Sequence, residues 1–170
     1  VHGAGQSAAA FAKYAETMPP ETQPVVYMAY VGFKAQMGPF FERLDQALRG
    51  DAARYPIPQI GLSMTGQDYQ NQQYEDAVAR GECDAQIEAF CEGLAGLGRP
   101  AYVRIGYECN GEHNGYRAES YKAAFVRIAQ AFRRHDLDAA TVWCVVSRPM
   151  EKTMAFYPGD EWVDWFSIDL

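Results

Sequence analysis

The segment Tyr102–Gly111, YVRIGYECNG, sets a guanidinium, a carboxyl and a carboxamide at intervals that suit acid–base chemistry. Side chains alternate along a strand, so Arg104, Gly106 and Glu108 are expected on one face. A glutamate at the C-terminal end of a parallel strand, with an inward arginine four residues earlier, stands where barrel enzymes place their chemistry. In a partly dry pocket Glu108 could act as a general acid near neutral pH, whereas a neighbouring cation would keep it ionised. The Asn110 carboxamide could hydrogen-bond a substrate hydroxyl. A structural Arg–Glu pair at a strand end explains the same spacing equally well.

Other side chains could line such a site. His2 is expected at the end of a first strand, facing the site or solvent. Gln59 and Ser63, and further on Trp143 and Ser147, lie on a two-residue period and point either inward to ligand or outward to packing. Trp143 is the strongest of these by type, because an indole face stacks on a sugar ring. Tyr30 and Tyr116 are expected in loops that could line subsites. His113 reads as a solvated loop histidine beside the candidate acid, and His135 as a helix-end cation. Cys83, Cys91, Cys109 and Cys144 have neither metal-site nor disulfide-framework spacing; they read as small buried residues or free thiols, with one short disulfide as the alternative. Gly3-Ala4-Gly5-Gln6-Ser7 lacks the last glycine of a dinucleotide loop, so its glycines are expected to turn the chain out of strand 1.

These groups need a scaffold, and the apolar pattern supplies one. Nearly continuous apolar runs at residues 24–31, 57–64, 100–107, 141–147 and 162–170 read as buried strands, with residues 1–5 as another. Helix-period segments alternate with them. One is capped by Ser7 and stopped by Pro19-Pro20, a second opens at Pro39, a third is capped by Asp84 and ends at Gly98, and a fourth runs from Ala118 to Arg134. The polar stretch 65–83 is long enough to be functional or to hold a short helix. Repeated strand–helix units imply a parallel sheet, and about six strands make either an open sheet or part of a (β/α)8 barrel. The 170 residues carry a net charge of −7 with only Arg133-Arg134 as a basic cluster, which argues against a nucleic-acid partner. No apolar run is long enough for a membrane span. Most of the 14% aromatic content is expected in the core, and an excess of Tyr and Trp near loop ends also suits flat, amphipathic ligands such as sugars.

RIGYECNGEHNGY, a helix, VWC and then FYPGDEWVDWFSID together resemble the clan A glycoside hydrolases, glycoside hydrolase family 26 (β-mannanases and related β-glycanases) in particular. The likeness spans residues 101–170, and the first half agrees in strand–helix order. It implies a single (β/α)8 TIM barrel domain over residues 1–170, with roughly the first six βα units present and the C-terminus truncated. It further implies retaining hydrolysis of β-linked polysaccharide, with Glu108 as acid/base. Arg104 would support the catalytic carboxylates. Tyr107, Asn110, His2, Trp143, Tyr116 and Asp169 would contact an oligosaccharide or polysaccharide. Tyr107 replaces the family's histidine and Ser167 a frequent glycine. The nucleophile belongs on a seventh strand and is expected beyond residue 170, which would leave this chain inactive alone, with its open edges covered by missing barrel units or by a partner. No metal or organic cofactor is implied, and a polymeric substrate implies a secreted or periplasmic protein. The alternatives are a non-catalytic carbohydrate-binding protein on a degenerate barrel, and an open α/β enzyme unrelated to sugars.

Overall fold

The structure, a computed structural model, describes residues 2–5, 7–50, 56–66 and 73–169. Val1 and Leu170 of the expected first and last strands, Gln6 of the glycine-rich turn and residues 67–72 of the polar stretch lie outside the described residues. The elements follow in chain order as β1 (Gly3–Gly5), α1 (Ala8–Glu16), β2 (Val26–Gly32), α2 (Met37–Arg49), β3 (Ile57–Ser63), α3 (Glu75–Ala79), α4 (Asp84–Leu97), β4 (Ala101–Ile105), α5 (Ala118–Arg134), β5 (Ala139–Val146), α6 (Met150–Met154) and β6 (Trp165–Asp169). A single 3-10 turn at Pro20–Thr22 leads into β2.

Among the described residues the six strands are all parallel and stand in sequence order, β1 to β6. Doubly wound open sheets reverse strand order at a switch point; a singly wound order is what a barrel uses. The sheet is a curled half-barrel with helices on its outside. Its register assigns the faces. Tyr30, Gly61 and Arg104 share a row, as do Val142 and Trp165 beyond them. These and their alternate neighbours form the inner face, and Ile60, Leu62, Val103, Ile105, Trp143 and Val145 form the outer one.

The core lies between that outer face and the helices. Phe40, Phe41, Leu44 and Leu48 of α2, Ile87, Phe90 and Leu94 of α4, and Tyr121, Phe125, Ile128 and Phe132 of α5 are all buried. Their spacing of three and four residues is the apolar stripe that marks these segments as helices in the sequence. Phe41, Phe90 and Phe132 form a chain of ring contacts at 5.4 and 6.0 Å that ties α2, α4 and α5 together.

Several local expectations change. Ser7 does cap α1, its hydroxyl accepting from the Ala10 amide at 3.4 Å. Asp84 is the first residue of α4 rather than its cap, and its carboxylate takes the Arg127 guanidinium of α5 at 2.6 and 2.5 Å. Gly3 and Gly5 form β1 itself instead of a turn. A Cβ on Gly5 would lie 2.3 Å from the Met28 carbonyl oxygen, so the glycines are there for close approach to β2. The polar stretch holds α3. All four cysteines are buried free thiols.

Candidate active site

β4 ends at Ile105, two residues earlier than its apolar run suggests. Gly106 and Glu108 both take left-handed backbone, at φ 54° each. Such a conformation costs a non-glycine residue about 1–2 kcal/mol, so the alternation that would carry Glu108 on from Arg104 breaks here. Hydrogen bonds hold the loop in place. The Gly106 amide donates to the Leu62 carbonyl at 2.8 Å and the Cys109 amide to the Cys144 carbonyl at 3.1 Å. The buried Asn114 carboxamide donates to the Tyr107 and Glu108 carbonyls at 3.0 and 3.1 Å, and the Gly111 amide donates to the Glu108 carbonyl at 2.8 Å.

Glu108 is thereby presented at the C-terminal rim of the sheet with its side chain 27% exposed. Its Oε2 lies 2.7 Å from His113 Nε2, on the same loop. A Cβ on Gly111 would lie 2.5 Å from the His113 ring, so glycine leaves the imidazole room to reach the carboxylate. His113, read from sequence as a solvated loop histidine, is therefore the partner of the candidate acid.

Arg104 is buried on the inner face below this loop. One terminal nitrogen donates to Asp169 and lies 2.8 Å from the Cys144 Sγ; the other donates to the Tyr30 hydroxyl at 3.3 Å. Burial works against its charge, but Cys144, Asp169 and Tyr30 more than offset that and hold the guanidinium above its ordinary range. Above it, Tyr107 and Tyr30 meet edge to face at 5.2 Å, and the Tyr107 ring lies 5.4 Å from the guanidinium. A Cβ on Gly61 would come within 2.5 Å of the Tyr30 ring and 3.1 Å of the Tyr107 ring. Gly61 thus provides the gap in which the two rings meet.

Arg104, Tyr107, Glu108 and Asp169 are brought to one rim. Four other candidates are placed differently. Asn110 turns away from the site: its Nδ2 donates to the Val146 carbonyl at 3.0 Å and Thr153 Oγ1 at 3.1 Å, and its Oδ1 accepts from the Val146 amide at 2.8 Å. It continues the β4–β5 pairing past the end of β4 and has no carboxamide donor left for a sugar. Trp143 lies on the outer face, opposite in parity to Arg104, packed on Tyr157 at 4.8 Å and Phe166 at 5.4 Å. Tyr116 is buried, stacked 5.8 Å from Tyr121, its hydroxyl accepting from the Met64 amide at 3.0 Å. Burial pushes its phenol well above the usual range. His2 precedes β1, at the opposite end of the sheet from the rim, with Nε2 3.5 Å from the Tyr14 hydroxyl. Tyr30 is in β2 rather than a loop. Ser63 faces inward but bonds Thr65 at 2.7 Å. Asn114 was not singled out by sequence reasoning; an asparagine before a glycine in the EHNG run is the only signal that could have found it. Among the described residues no group of three His, Cys, Asp or Glu side chains is placed to hold a metal, and no helix is long and apolar enough to cross a membrane.

A curled, singly wound parallel sheet is part of a (β/α) barrel, and Glu108 stands at the rim of its fourth strand. No protein-family model matches the chain. It is 32% identical over 114 residues to a beta-1,3-xylanase from Alcaligenes sp, an alignment covering 64% of this chain and 23% of that protein. It is also 32% identical over 124 residues to a beta-1,3-xylanase from Vibrio sp, covering 69% of this chain and 25% of that one. The chain thus spans about a quarter of the length of these curated relatives. Its fold superimposes on the GH26 domain of an endo-beta-mannanase/endo-beta-glucanase from Prevotella bryantii with a TM-score of 0.68 at 12% identity, covering 99% of this chain and 66% of that domain. The chain is thus similar in sequence to two beta-1,3-xylanases and in fold to a GH26 domain.

Proposed function

We propose that residues 1–170 belong to one barrel domain of a family 26-type glycoside hydrolase that cleaves β-linked polysaccharide by retaining double displacement. Glu108 protonates the departing glycosidic oxygen and then deprotonates the water that releases the sugar. Arg104 braces Asp169 and the Tyr30–Tyr107 pair beneath the reacting sugar. The nucleophile lies outside residues 1–170, on a further strand that brings a second carboxyl about 5–5.5 Å from Glu108. Exposed Trp165, Phe166 and Ile168 on the two faces of β6 support further βα units, or a partner, closing the sheet there. β-1,3-Xylan is the first substrate to try, given the activity for which the sequence relatives are named.

The observation that carries this reading is Glu108 itself, held in left-handed backbone at the rim by the Asn114, Gly111 and Cys109 hydrogen bonds. In the full-length protein, Glu108→Gln is expected to lower hydrolysis by about 10²–10⁴-fold without changing the melting temperature, the usual weight of a general acid. Wild-type turnover of β-linked polysaccharide by that variant would refute the assignment. A second reading, a sugar-binding barrel without turnover, draws on the engaged Asn110 carboxamide. Oligosaccharide binding with no hydrolysis by the full-length protein would establish it.

A further inference from the structure

Beside the Glu108 loop lies an open groove of about 510 Å³ between that loop and α6, bordered by Asn110, Glu112, Arg148, Lys152 and Phe156. Asn110 and Glu112 belong to the loop that carries Glu108, so one border of the groove is the loop of the candidate catalytic carboxylate. Most arginines of this acidic chain are committed: Arg49, Arg80, Arg104, Arg117, Arg127, Arg133 and Arg134 each meet an Asp or Glu. Arg148 and Lys152 are exposed and, among the described residues, have no carboxylate partner. Two uncommitted cations on one concave surface concentrate positive potential there, and the field is stronger in a cleft than on a convex face. Glu112 is the one acid among the lining residues and opposes them. The Phe156 ring adds an apolar wall suited to the C–H face of a sugar.

We infer that this groove holds an anionic substituent of the glycan, a uronate carboxylate or a sulfate ester, on a sugar neighbouring the one presented to Glu108. The inference rests on the glycosidase reading and narrows its substrate to charged β-linked polysaccharide. Arg148 supplies a planar, bidentate donor pair that fits either oxyanion, and Lys152 a point charge beside it. Anchoring a charged branch at this position sets the register of the chain across the rim.

The test uses the full-length protein carrying Glu108→Gln, to prevent turnover, and calorimetric titration with three β-1,3-xylo-oligosaccharides of equal length: neutral, glucuronate-substituted and sulfate-substituted. Two exposed cations each contribute a few-fold, so a charged ligand is expected to bind about fivefold to tenfold tighter than the neutral one at low salt. The preference should shrink at physiological ionic strength. Arg148→Ala with Lys152→Ala should abolish it while leaving neutral-ligand affinity unchanged, and Glu112→Gln should raise it about twofold. A preference for one charged ligand over the other identifies the anion. Equal binding of all three ligands, or a charge preference that survives the double substitution, overturns the inference and leaves the glycosidase reading standing. Absence of binding by every oligosaccharide overturns the inference, and the glycosidase reading is then judged separately, by whether the wild-type protein hydrolyses any β-linked polysaccharide.

Discussion

Asn110 separates a sugar ligand from a structural clasp, and Asn110→Asp tests the difference. The substitution keeps the shape and the acceptor but removes both donors, those to the Val146 carbonyl at 3.0 Å and to Thr153 Oγ1 at 3.1 Å. Each lost bond is worth about 0.5–1.5 kcal/mol net, and a carboxylate oxygen then faces the Val146 carbonyl with no proton between them. Together these give a loss of about 3 kcal/mol. For a domain of this size that is roughly 6–12 °C in melting temperature, readable by scanning calorimetry. Acid should narrow the gap below about pH 4, where an aspartate protonates and regains one donor. An unchanged melting temperature with weakened oligosaccharide binding would refute the clasp and return Asn110 to the substrate.

The remaining predictions concern stability and association. Burial pushes the Cys91 and Cys109 thiols up to about 12 from an ordinary value near 9. The folded chain therefore keeps both protons through a pH range in which the unfolded chain loses them, so stability is full below pH 9 and falls as pH rises from 9 to 12. The slope is about 1.4 kcal/mol per pH unit for each thiol. Urea melts of wild type and of Cys91→Ala with Cys109→Ala should diverge in slope across that window; parallel pH dependence would refute the burial argument. β6 has no neighbour on its far edge among the described residues and exposes Phe166 and Ile168. Residues 1–170 expressed alone should self-associate in sedimentation velocity, and Phe166→Lys with Ile168→Lys should reduce this, whereas a monodisperse wild-type monomer at high concentration would speak against an edge built to be covered.

The repeating strand–helix order, the helix faces and the rim position of Glu108 were all legible in the order of the residues. Apolar periodicity is a local signal, and a strand's C-terminal end is marked by where that signal stops. The sequence also carried the resemblance to glycosidases, because RIGYECNG and YPGDEWVDW are contiguous runs. What it could not decide was where each polar side chain points. Parity placed Trp143 on either face with equal ease, and only the register of β5 against β4 and β6 turns it outward. Counting along β4 put Glu108 on Arg104's face, but two left-handed residues break the count, and their conformation depends on bonds from Asn114, Leu62 and Cys144, which are distant in sequence or unremarkable in type. His2 and Tyr116 have the right chemistry for a sugar site and the wrong place: one lies at the opposite end of the sheet, the other in the core. Residue type records what a side chain can do. Which partner it meets depends on contacts across tens of residues, and those exist only once the sheet has curled and the helices have closed over it.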